Sequence, residues 1–191
     1  MACSITRCKS ILIGTFVGTA VALGAGLPAA VHATVFYARE ELLRLAFPTA
    51  DQTNARDFFL TDQQRRAIEE LAQSRLESDL VTVYEGYARG SPLGYAIIDS
   101  HLVRTLTETL LVVLTPDGRV AATHVAAFYE PGEYLPKERW RKRLVGQGLS
   151  DQLRVGRSLA AITGSTLSSR AVVSSVRRAM AVYAVLIRGE K

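Results

Sequence analysis

Residues 80–129, LVTVYEGYARGSPLGYAIIDSHLVRTLTETLLVVLTPDGRVAATHVAAFY, decide the fold. Their apolar residues alternate with polar ones at period two, and β-branched and aromatic side chains dominate. Gly90-Ser91-Pro92 and Pro116-Asp117-Gly118 punctuate the run where hairpin turns need breakers. The pattern predicts four strands: Leu80–Ala88, Leu93–Asp99, Thr105–Thr115 and Arg119–Tyr129. Links this short demand antiparallel pairing, since a parallel sheet needs crossovers of a dozen residues or more. The predicted class is therefore α+β, with an antiparallel four-stranded meander packed against helices on either side of it in sequence.

Working outward, Tyr37–Phe47 places Leu42, Leu43, Leu45 and Ala46 behind the charged Arg39, Glu40 and Glu41 and stops at Pro48, which predicts a short amphipathic helix. Thr61-Asp62-Gln63-Gln64 has the form of a capping box, and Ile68, Leu71 and Ala72 follow at helical spacing, so a second helix is expected over Asp62–Ser74. On the far side of the strands, Ser168 to about Ile187 puts Val172, Val176, Ala179, Tyr183 and Leu186 on one face. Arg170, Ser174, Arg177 and Arg188 fall on the other, which predicts a helix covered on one side and wet on the other.

The N-terminal segment has a different character. Arg7 and Lys9 precede an uncharged run from Ser10 to Ala33, long enough to span a bilayer with its basic flank in the cytoplasm. Val31-His32-Ala33 resembles a signal-peptidase site, whereas Gly14, Gly18 and Ala22 share a helix face as in packed membrane helices. Membrane anchor and signal peptide both stand open, and either places the remainder on the extracytoplasmic, periplasmic side. The expected organisation is 1–33 anchor or signal, 34–79 helical region, and 80–191 ligand-binding domain.

Composition limits the chemistry. The chain has 191 residues, 48% of them hydrophobic and 21% charged, which fits one globular core plus that appendage. Both cysteines, Cys3 and Cys8, precede the apolar run, so no disulfide is expected in the folded part. His101 and His124 have no metal-ligand spacing and read as partly buried structural residues in strands, so no metal site is expected. A hydrolase is disfavoured because there is no Gly-x-Ser-x-Gly elbow, and no catalytic residue is assigned. Charge is uneven: residues 34–135 carry 9 basic and 15 acidic side chains, and residues 136–191 carry 12 and 3. The basic part suits a phosphorylated cofactor or anionic lipid, and nucleic acid is a poor partner for an exported chain.

Within that basic part lies Gly156–Arg170, GRSLAAITGSTLSSR. Thr163, Gly164, Ser165, Thr166 and Ser168 gather hydroxyls and free backbone N–H groups at a helix start, with Arg157 and Arg170 flanking, which outlines an anion site. Ordinary helix capping uses the same residues. Upstream, Trp140 in Lys137–Arg143 offers an indole that could stack on a flat ligand ring or on one of the neighbouring arginines, or serve as a core anchor.

ITGSTLSS, with GR upstream and AVVSSVRRA downstream, resembles the FMN-binding domain of the G subunit of the Rnf electron-transport complex and the C subunit of sodium-pumping NADH:quinone reductase. That family reads approximately D-x-[IV]-[ST]-G-A-T-x-[ST]-S, and its threonine carries FMN through a phosphoester installed by a flavin transferase. Thr163, Gly164 and Thr166 match, with Thr166 at the acceptor position. Ser165 stands where the family has alanine, and Ala160 where it has aspartate. The resemblance covers roughly Leu80–Leu186. It implies FMN as cofactor, with Thr163, Gly164, Ser165, Thr166, Leu167, Ser168, Arg157 and Trp140 as cofactor-binding residues. It also implies electron transfer with a membrane redox complex or another carrier. The alternative is a structural or assembly subunit of the same fold with non-covalent flavin or none.

Overall fold

A computed structural model describes residues 34–190, and the apolar run with its anchor or signal reading lies outside the described residues. The four expected strands form, and the sheet is larger than four. In chain order, β1 is Thr34–Val35, α1 Arg39–Ala46, β2 Gln52–Phe59, α2 Asp62–Ala72, β3 Leu80–Ala88, β4 Ser91–Leu102, β5 Thr107–Leu114 and β6 Val120–Phe128. The short α3 (Glu138–Arg141) and the long α4 (Thr166–Val182) follow, and α4 runs on as a π-helical turn, Tyr183–Ile187. The fully antiparallel sheet has the order β1-β6-β5-β4-β3-β2: five full strands and one two-residue strand at an edge.

The fifth strand was hidden in the sequence. β2, QTNARDFF, pairs residue for residue with β3 from Gln52↔Tyr87 to Phe59↔Leu80. Its side chains are mostly exposed. An edge strand without a buried face gives no apolar alternation to detect. Turn placement shifts too: Arg89 (φ 51°) and Gly90 (φ 77°) make a two-residue turn, and Ser91 and Pro92 belong to β4. Two successive left-handed residues are what the right-handed twist of a tight hairpin requires.

The sheet is covered on both faces. On one, Val83, Tyr95, Ile97, Leu110, Val112, Leu114, Val125 and Phe128 pack against Ile68 and Ala72 of α2 and against α4. On the other, Tyr84, Ala96, Leu111, Val113 and Ala126 meet Leu42 of α1 and Phe47 just beyond it. Each fully buried side chain of this size is worth about 1.5–3 kcal/mol. The Phe47 ring sits where a Cβ on Gly86 would come within 2.5 Å, so glycine there admits α1 to the sheet.

Capping follows the sequence at α2: the Thr61 hydroxyl accepts from the Gln64 N–H at 3.2 Å, and the Gln64 side chain accepts from the Thr61 N–H at 2.9 Å. The expectation for α4 needs correction. Val172, Val176, Ala179, Tyr183 and Leu186 are buried as the periodicity predicts, but Arg177 is only 4% exposed and not on a wet face. Its guanidinium donates from Nε to the Ala72 carbonyl at 2.8 Å, from Nη2 to the Leu71 carbonyl at 2.9 Å, and from Nη1 to the Ser150 carbonyl. The last carbonyls of α2 have no partners within the helix, and a cation there also meets the negative end of its dipole. Among the described residues, no helix is long and apolar enough to cross a membrane.

Candidate functional site

The hydroxyl-rich segment forms a turn leading into α4. The Ser165 N–H donates to the Ile162 carbonyl at 3.1 Å, and Gly164 occupies the left-handed region at φ 83°. A turn that needs positive φ at its third residue selects glycine. Nothing lies within 4 Å of where a Gly164 Cβ would stand, so a ligand can approach the backbone there. α4 begins at Thr166, two residues earlier than the sequence suggests.

At this helix start the hydroxyls divide between jobs. Ser165 is the N-cap residue by backbone, yet its side chain does not cap; its Oγ donates to the Glu133 carbonyl at 3.2 Å. Thr166 Oγ1, half-buried, donates to the Ile162 carbonyl at 3.0 Å, and Ser169 Oγ to the Ser165 carbonyl at 2.8 Å. Among the described residues, no acceptor meets the N–H groups of Thr166, Leu167 and Ser168. Ser168 Oγ is buried without a hydrogen-bond partner. Thr163, Gly164 and Leu167 are exposed. The unpaired helix-start donors leave room for an anion, since no side chain caps them.

Beside the turn lies a cavity of about 400 Å³ bounded by Trp140, Thr163 and Ser165, with Leu135 and Ile162 as apolar walls. Trp140 is buried, and its Nε1–H donates to the Ala160 carbonyl at 2.7 Å. The indole is thus a core anchor that also forms one wall. Lys137, Arg139 and Arg143 supply positive charge at the rim. Arg157 is exposed and does not line this cavity. Sequence reasoning passed over the Lys137–Arg143 cations individually, although they surround Trp140 in the chain. Of the residues the sequence singles out, Trp140, Thr163 and Ser165 line the cavity, whereas Gly164, Thr166, Leu167 and Ser168 do not, and Glu133 stands among the cations around it. Apolar walls and flanking cations could hold part of the ring system of a flavin nucleotide, with the helix-start N–H groups on the adjoining turn.

Sequence reasoning also missed a buried ionic cluster. β3 and β4 pair only as far as Val83↔Ile97, and beyond that point the two strands part around a cavity of about 630 Å³. Asp99 and Arg178 line it. Asp99 receives Arg178 Nη2 at 2.5 Å and Nε at 3.1 Å, and His101 Nδ1 at 2.9 Å. His101 Nε2 lies 3.3 Å from Glu108, directly across the β4–β5 ladder. Burial alone would favour neutral His101, but its bonds to Asp99 and Glu108 outweigh that and hold its pKa above the ordinary value. Burial likewise opposes Asp99 ionisation, and His101 and Arg178 overcome it, so its pKa is lowered. The alternation Asp99, His101 was readable as one strand face; placing Glu108 opposite required knowing that the turn is Val103–Leu106.

His124 is half-buried in β6, where burial and then Arg141 push its pKa down. Neither histidine touches the Thr163–Ser168 turn, and among the described residues no three His, Cys, Asp or Glu side chains converge to hold a metal ion. Comparison with protein-family models and with curated proteins gave no match.

Proposed function

We propose that this chain is an extracytoplasmic flavodomain, held at a membrane by its N-terminal apolar segment, that binds FMN at the start of α4 and relays electrons in a membrane-associated redox chain. The observation that carries the reading is the coincidence of a family-like motif, ITGSTLSS, with three unpaired N–H groups on a turn beside a Trp140-walled cavity. The N–H groups of Thr166, Leu167 and Ser168 would hold the phosphate, aided by the hydroxyl of Thr163, while Gly164 leaves room for it. Lys137, Arg139 and Arg143 would supply the counter-charge. The flavin, when bound, supplies one- and two-electron chemistry; the protein supplies position and electrostatics.

Thr166 is the residue at which a transferase would make a phosphoester. An isolated threonine hydroxyl is a weak nucleophile, so attachment depends on that enzyme rather than on a base in this chain. Co-expression with a flavin transferase, followed by denaturing electrophoresis and intact mass, tests the reading. Flavin surviving denaturation and lost in Thr166→Val supports it; flavin retained in Thr166→Val removes Thr166 as acceptor.

A second reading, a structural or assembly subunit with loosely bound flavin or none, is favoured by Ala160. An aspartate belongs at that position in the pattern a transferase reads, and here the side chain is an exposed methyl group. Absence of both covalent and free FMN from protein purified out of native membranes would select it.

A further inference from the structure

We infer a second anion site, separate from the Thr163–Ser168 turn, that takes a phosphate group among Arg154, Arg170 and Arg177. These three arginines line one cavity of about 360 Å³ together with Gln73 and Ser174, and no carboxylate is among its lining residues. Arg170, Ser174 and Arg177 recur at helical spacing along one face of α4. Arg154 approaches from the loop after α3, and Gln73 from the left-handed C-cap of α2.

Three guanidiniums around one void repel each other unless something negative joins them. Arg177 is fixed in place: its bonds to the carbonyls of Leu71, Ala72 and Ser150 use three of its five N–H donors and leave one on each terminal nitrogen. Arg154 spends one donor on the Gln73 side-chain carbonyl. Arg170 is exposed and, among the described residues, its side chain makes no hydrogen bond or ion pair. Asp151 acts on Arg177 electrostatically from outside the cavity lining and accepts from the Gln73 amide at 2.7 Å. The cluster is thus anchored at one end by a buried arginine and has spare donors from all three.

A phosphate dianion matches this arrangement better than a single carboxylate. Its three terminal oxygens can each meet a different guanidinium, and its second charge offsets what one carboxylate would leave. The phosphate could belong to a free phosphorylated metabolite or to a lipid headgroup. The inference does not depend on flavin binding, because none of the three arginines lines the Trp140 cavity.

The test uses the full chain in detergent micelles at low ionic strength. Inorganic phosphate, against sodium chloride at matched ionic strength, should raise the melting temperature of the wild type and of Thr166→Val by several degrees. Most of the shift should be lost in Arg154→Gln;Arg170→Gln, which leaves Arg177 with its structural bonds and the Thr163–Ser168 turn intact, and it should survive in Arg170→Lys, which keeps the charge. Phosphorus NMR with glycerol 3-phosphate and with short-chain phosphatidic acid then separates the sources: the resonance broadened by wild type, with at least ten-fold weaker binding to the double variant, identifies the ligand. No phosphate-specific shift, an equal shift in the double variant, or a shift lost in Thr166→Val alone would overturn the inference.

Discussion

The indole N–H of Trp140 is hydrogen-bonded to the carbonyl oxygen of Ala160, 20 residues along the chain, at 2.7 Å. This bond ties the segment after β6 to the approach of α4, and so fixes one wall of the cavity relative to the Ile162–Ser165 turn. Trp140→Phe keeps most of the apolar contact and strands the carbonyl. The expected loss is about 1–3 kcal/mol of stability by urea unfolding, together with weaker FMN binding.

Positive charge at the proposed flavin site should come from the rim rather than from Arg157. Arg143→Ala is expected to weaken binding of free FMN several-fold, and Arg157→Ala to leave the dissociation constant unchanged. Fluorescence quenching titrations decide between them; the reverse ranking would place the phosphate nearer the Gly156 turn.

The exposure of Ala160 makes the covalent question testable without disturbing the fold. Ala160→Asp should raise the in-gel flavin signal after co-expression with a transferase. Ala160→Asp;Thr166→Val should show none.

Stability should fall as pH rises. A histidine whose pKa is raised on folding stabilises the native state fully below its unfolded pKa, and that contribution is lost as pH climbs through the higher folded value. For His101 the window opens near the ordinary value of 6.5 and extends upward. Asp99 acts oppositely, its contribution being present at neutral pH and lost in acid. Melting temperatures measured from pH 6 to 9 should decline for the wild type and flatten for His101→Gln, at a lower overall stability.

Two glycines with similar dihedral angles should differ in cost. Gly90 and Gly118 have φ of 77° and 81°, but only at Gly118 would a Cβ meet another residue, the Tyr183 ring at 2.2 Å. Gly90→Ala should cost about 1–2 kcal/mol for the left-handed backbone. Gly118→Ala should cost clearly more, because Tyr183 also donates its hydroxyl to the Pro116 carbonyl at 2.8 Å and cannot swing aside freely.

What was legible in the sequence was what burial writes there. The hairpin strands show because each has a buried side, and α2 shows because Thr61 and Gln64 are a local device. β2 left no trace because its stability comes from main-chain pairing with β3, which no side-chain period records. Arg177 misled for a related reason: a helical wheel counts a guanidinium as solvent-seeking, whereas this one finds the carbonyl end of a helix about 100 residues away. The turn at Gly164 was readable as a helix entrance. The partition of its hydroxyls, Ser165 to Glu133 and Ser168 to nothing, depends on which loops fold over it.

The two margins of the sheet bear on how such molecules behave when crowded side by side. At one end of the outer side of β6, Val120 exchanges hydrogen bonds with Gly146 and Gln147; at the other, Ala126 accepts from Phe36 and β1 pairs with Ala127 and Phe128. Only a gap of about five residues stays open, too short a template for a neighbour's strand to zip onto stably. The opposite margin, β2, carries Arg56 and Asp57 at its centre, and like strands approaching there would have to accommodate those charges. The β6 margin is thereby closed to fusion with the sheet of the next copy, and any sheet-to-sheet joining would have to run through β2.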